Sequence, residues 1–165
     1  MDTTNNGSQD GLDPAEIAAL KVLDEVLVSF PDTSEMTPRE VEGIVLRLRA
    51  CSISVTREMA KAQARKHATS GRLAVNEAVR LAAYREALAS STWVKAGADA
   101  EARKVRAEKL ALEGIAEDLG LSQARAKSVQ NAIEILTLAQ KDLDAARRDV
   151  YALVELKKLD VRLSL

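Results

Sequence analysis

One cysteine, Cys51, and one histidine, His67, are all that 165 residues offer of two side chains central to metal binding and nucleophilic catalysis. A zinc site needs several such ligands close together, and one of each does not supply it. No intrachain disulfide can form, which fits a reducing compartment. Sixteen positions separate Cys51 from His67 on one expected helix. That is roughly 20 Å or more at about 1.5 Å of rise per residue, too far for a catalytic dyad. The chain has seven glycines, and Gly43, Gly71, Gly97, Gly114 and Gly120 each stand alone, so no glycine-rich phosphate loop occurs. No apolar run approaches the roughly 18 residues of a membrane span. The first residues, MDTTNNGSQDGL, lack the basic and apolar regions of a signal peptide. Acidic pairs such as Glu117/Asp118 and Asp142/Asp144 have bases nearby and read as solvated helix faces. The expectation is a soluble, cytoplasmic protein that is not an enzyme and has no metal site and no cofactor.

Aromatic residues are 2% of the chain and prolines number three, while apolar residues reach 47%. Such a core is aliphatic and alanine-rich, and alanine favours helix because it loses no side-chain entropy there. The fold class expected is all-α. Residues 1–12 read as a disordered tail. Residues 13–36 read as an acidic helix and loop, opened by Asp13-Pro14, an N-cap acid before proline at the first helical position. Ile17, Leu20, Leu23, Val26, Leu27 and Phe30 recur at helical spacing, and Phe30-Pro31-Asp32 ends the segment. Residues 37–165 read as a long antiparallel, coiled-coil-like helical hairpin.

Thr37-Pro38-Arg39-Glu40 is a capping box, and the helix it opens runs to about Ala89. Ser52-Ile53-Ser54-Val55-Thr56 and Thr69-Ser70-Gly71 are places where it could bend or split. Residues 90–97 form the turn, a third helix starts near Asp99, and Gly120 with Ser122 suits a break before the last helix, about 123–161. That last helix carries a quasi-heptad of Val129, Ala132/Ile133, Leu136, Ala139, Leu143, Ala146, Val150, Leu153 and Leu156. Ile135, Leu138 and Val154 widen its apolar stripe and are candidate oligomer-interface residues. A homo-oligomer is expected, with a monomeric bundle as the alternative.

The net charge of −1 conceals an asymmetry. Residues 1–43 hold ten acids and two bases, whereas residues 44–110 hold fourteen bases and six acids. Arg47, Arg57, Lys61, Arg65, Arg72 and Arg80 fall, at about 100° per residue, within an arc of roughly 140° on one helix. Ile44, Val45, Leu48, Val55, Met59, Leu73, Leu81, Tyr84 and Leu88 fall opposite. A row of this kind can follow phosphates, with counterion release supplying affinity. The alternative is a solvated face with ion pairs inside or between chains, or an acidic arm folded onto the basic part. Trp93, in the turn beside Lys95, is a candidate for stacking on an unpaired base, with anchoring of the hairpin end or of a subunit contact as the favoured alternative. Arg103, Lys104, Arg106 and Lys109 point in different directions and read as general positive charge. No helix-turn-helix, zinc finger, basic zipper or aromatic sheet is evident, so nucleic acid, if bound, is expected to be held by its backbone and without sequence preference.

From about Val45 to Val150 the layout resembles the UvsY-type phage recombination mediators. The residues carrying it are the basic, alanine-rich MAKAQARKHA (59–68), a break with Lys95, the charged AEARKVRAEK (100–109) and a final apolar helix. The resemblance implies a small helical oligomer that binds single-stranded DNA, with a recombinase or single-strand-binding protein as protein partner, in the cytoplasm of a phage host. The acidic N-terminal helix lies outside it. A second reading is a structural or adaptor protein, such as a virion or assembly component, whose basic face serves subunit contacts. A third, a peripheral membrane protein, lacks the bulky apolar edge needed for insertion.

Overall fold

A computed structural model of the chain describes residues 11–28 and 36–163, with side chains as far as Leu159. The fold is all-α. Its helices are α1 (Pro14–Val28), α2 (Pro38–Ser90), α3 (Thr92–Lys95), α4 (Ala100–Glu113) and α5 (Ala116–Leu163). Most of the expected N-terminal tail and the turn at Phe30-Pro31-Asp32 lie outside the described residues. No helix among the described residues is long and apolar enough to cross a membrane.

Both early caps close reciprocally. Ala15 N and Glu16 N each donate to Asp13 Oδ1 at 3.0 Å, and Asp13 N donates to Glu16 Oε2 at 2.7 Å. At α2, Thr37 N and Thr37 Oγ1 donate to Glu40 Oε2, both at 2.7 Å, and Glu40 N donates to Thr37 Oγ1 at 3.4 Å. These bonds satisfy N–H groups that have no partner within the helix. The Thr37 bonds hold the Glu40 carboxyl below its ordinary range, with Lys157 adding a smaller pull in the same direction.

From this cap α2 runs 53 residues without interruption, so neither suspected weak point breaks it. At the first, Cys51 and Val55 are buried in the core, and that burial outweighs a propensity deficit of at most about 0.7 kcal/mol per residue. At the second, Thr69 Oγ1 donates to Arg65 O at 2.7 Å, satisfying the hydroxyl within the helix.

The chain divides into two compact units. The first comprises residues up to Gln63 and from Gln130 onward. Its core sets Leu48, Cys51, Val55 and Ala62 of α2 against Leu136, Ala139, Leu143 and Val150 of α5, with Leu23 of α1 alongside. The two long segments run antiparallel: Lys157 Nζ donates to Met36 O, and Thr56 Oγ1 donates to Gln140 Oε1 at 3.4 Å. Leu48, Leu136 and Leu143 lose all exposure, each stabilising by about 1.5–3 kcal/mol.

The second unit is Ala64–Val129. Its small cluster holds Ala87, Val94 and Ala107, flanked by Tyr84 and Leu110. Asn76 Nδ2 donates to Ser122 Oγ at 2.8 Å and to Asp118 O at 3.3 Å. The expected turn contains the single turn of α3, capped by Ser91, whose Oγ accepts from Val94 N. Asp99 caps α4 by accepting from Ala102 N at 2.7 Å. Gly97 lies buried where these segments meet, and Arg103 Nε donates to its carbonyl at 3.4 Å.

Two expectations are corrected. The break before the last helix falls at Gly114-Ile115, and Gly120 and Ser122 lie inside α5. Gly114 is the C-cap of α4, while the Ser122 hydroxyl receives Asn76 instead of capping a helix. The apolar positions of α2 are not uniformly packed: Leu81 and Leu88 are exposed, because α2 turns its alanine Ala87 into the cluster. The quasi-heptad positions of α5 from Val129 to Leu153 are buried or half-buried, and Leu156 is exposed.

Candidate nucleic-acid interface

The six stripe residues all lie on α2, divided between the units. In the first unit Arg47 and Arg57 are exposed and have no ion-pair partner among the described residues. Lys61 is exposed but occupied, since its Nζ donates to Glu58 Oε1 at 2.8 Å and Oε2 at 3.0 Å. Glu58 itself is buried on the packed side, 6% exposed, so Lys61 neutralises a carboxylate withdrawn from water.

In the second unit the row is interrupted. Arg65 is half-buried and already engaged. Arg80 is half-buried and paired with Glu108 of α4. Three of the six candidate cations are committed to neighbours. The angular spacing on α2 alone does not say where α4 will place an acid, and that acid takes Arg80. Arg72 remains exposed, without an ion-pair partner among the described residues.

Arg72 lines an open groove of about 600 Å³ with Asn76, Val75, Leu121 and Arg125. The Asn76–Ser122 bond places Arg72 and Arg125 one turn beyond it, on facing helices of the same unit. Arg125 was not singled out from sequence. The signal for it was the antiparallel register, which emerges only once Asn76 is paired with Ser122. Gly71, at the edge of the groove, has open space where a Cβ would stand.

Trp93 is 44% exposed and outside the buried cluster; Val94, 1% exposed, anchors α3. The Arg106 guanidinium lies 5.2 Å from the indole centroid and the Lys109 ammonium 6.0 Å. Arg106 Nη1 also donates to Trp93 O at 2.8 Å. These two bases, expected to be dispersed charge, converge on one ring because they lie one turn apart on α4.

Charge divides with the units. The second holds twelve bases and eight acids, the first twelve bases and seventeen acids. Among the candidate interface residues, Leu138 is 60% exposed, Ile135 is half-buried, and Val154 packs against the core of its own unit. Cys51 is buried in that core, and burial pushes its thiol above the ordinary value. His67 is exposed. No group of three or more His, Cys, Asp or Glu side chains placed to hold a metal ion occurs among the described residues.

No protein-family model, curated protein or solved structure matches the chain.

Proposed function

We propose that the protein is a non-enzymatic, self-associating helical accessory protein that binds single-stranded DNA independently of sequence. The role that fits is a recombination or replication mediator, built as a coiled-coil-like hairpin. The observation that carries the reading is the set of exposed cations without an ion pair among the described residues, Arg47, Arg57 and Arg72 on α2, the last facing Arg125 in the more basic unit. Guanidiniums pair with phosphate in bidentate geometry and need no base-specific contact. Self-association is supported by apolar side chains left in water on the first unit, notably Leu46, Ile53, Leu138 and Tyr151. The same residues favour the second reading, an adaptor whose cations meet acids of a neighbouring subunit.

Fluorescence anisotropy of a labelled oligonucleotide, titrated from low to physiological salt, tests the reading. The log of affinity should fall against log salt with a slope of about −0.7 per phosphate contacted. Replacing Arg57, Arg72 and Arg125 with alanine should flatten that slope by about 2. Arg80→Ala, which removes a cation already paired with Glu108, should leave the slope unchanged. Absence of binding at low salt would remove the DNA reading and leave the adaptor, whose defined oligomer analytical ultracentrifugation would then report.

A further inference from the structure

We propose that Trp93, Arg106 and Lys109 form a site for one unpaired nucleotide, the base stacking on the exposed part of the indole and its phosphate against the two cations. The inference rests on the DNA reading above and adds what that reading lacks, a means of distinguishing single strands from duplex. Charges on α2 answer to phosphates, which both forms carry.

Three observations carry it. Val94 takes the buried position of α3, so the indole is not needed as an anchor and stands 44% exposed. Arg106 and Lys109 reach the ring from the same helix, one turn apart, at 5.2 and 6.0 Å from its centroid. Both approach the ring from α4, while nearly half of Trp93 stays in water. Neither cation has an ion-pair partner among the described residues, although Glu101 and Glu108 lie on the same helix and pair with Lys104 and Arg80. An aromatic ring beside two cations whose charge no carboxylate pairs suits a planar heterocycle joined to a phosphate. A base in a duplex has both faces covered by its neighbours and cannot lie on the ring.

Trp93 is the only tryptophan, so its emission reports the site directly. The experiment titrates that emission with an oligothymidylate, an abasic strand of equal length, a duplex and an oligoglutamate, with anisotropy of the labelled strands alongside. Oligothymidylate should quench the emission, and the other three should leave it nearly unchanged. Trp93→Leu should weaken single-strand binding by about 5- to 150-fold, the range that loss of one stacked base produces, without altering duplex binding. Trp93→Phe, which keeps an aromatic face, should retain most of the affinity. Single-strand binding with no quenching and no effect of Trp93→Leu would overturn this site and leave the α2 reading standing. Quenching by oligoglutamate equal to that by oligothymidylate would overturn it in favour of an acidic peptide. Absence of any anisotropy change at low salt would overturn both.

Discussion

Replacing Gly97 with alanine should destabilise the second unit, whereas the same replacement at Gly120 should stabilise it. A Cβ at Gly97 would stand 2.9 Å from Arg103 Cγ, 3.0 Å from Arg103 N and 3.1 Å from Val94 O. The last two are backbone atoms, so α3 or the first turn of α4 must retreat by a few tenths of an ångström. Overpacking of this kind costs about 1–3 kcal/mol. Removing a glycine from the unfolded chain returns about 0.4–1 kcal/mol. The clash therefore prevails, with a net loss of roughly 0.5–2 kcal/mol and, at about 2–4 °C per kcal/mol for a chain of this size, a lower melting temperature. At Gly120 nothing lies within 4 Å of a Cβ and the residue is inside α5, so alanine gains about 0.5–1 kcal/mol. Thermal melts by circular dichroism, with Trp93 emission as the reporter of the second unit, measure both variants. A Gly97→Ala protein as stable as the parent would refute the reasoning. So would one whose Trp93 emission is unshifted, since retreat of either α3 or α4 changes how the indole sits against Arg106 and Lys109.

Leu143→Ala should cost about 2–5 kcal/mol in urea denaturation, because a fully buried side chain leaves a cavity between α2 and α5 of the first unit. Cys51 should resist alkylation by iodoacetamide in the folded protein and react freely in denaturant. Its raised thiol value means that the neutral form belongs to the fold, so the stability it contributes is lost as pH rises past the unfolded value of about 8.5. Glu40 has the opposite sign. Its lowered value makes its contribution present above the ordinary carboxylate range and lost as pH falls through the folded value, so a Glu40→Gln variant should differ from the parent at neutral pH and converge with it in acid. A double-mutant cycle on Arg80 and Glu108 should give a coupling of only about 0.2–1 kcal/mol, since both side chains are more than a third exposed.

Local signals were legible along the chain and long-range ones were not. Asp13-Pro14 and Thr37-Pro38 with Glu40 mark helix starts because a cap is a matter of three or four neighbouring residues. The spacing of Leu136, Ala139, Leu143 and Val150 gave the buried stripe of α5 for the same reason. Gly120 misled because a lone glycine is tolerated inside a helix held by packing, and Leu119 beside it is buried. At the candidate site, angular position on α2 located the cations but not their partners. Glu108 is 28 residues from Arg80, and Glu58 reaches Lys61 from the packed side. Arg106 and Lys109 meet Trp93 only because Gly97 brings α4 close to α3, and a close approach leaves no mark in composition or periodicity.

Asn76 has a consequence for how the chain finds its fold. Interfaces built on alanine are nearly smooth, and two long helices can slide past each other by a turn with little change in apolar contact. The Asn76 amide reaches two acceptors, Ser122 Oγ and Asp118 O, one turn apart on the facing helix. A slipped alignment would take the Ser122 hydroxyl out of reach of that amide. Within the second unit Asn76 thus works as a vernier mark, favouring the alignment in which its amide meets Ser122. Replacing it with leucine would trade that selectivity for adhesion, giving a seam that holds as well or better but no longer in a single place.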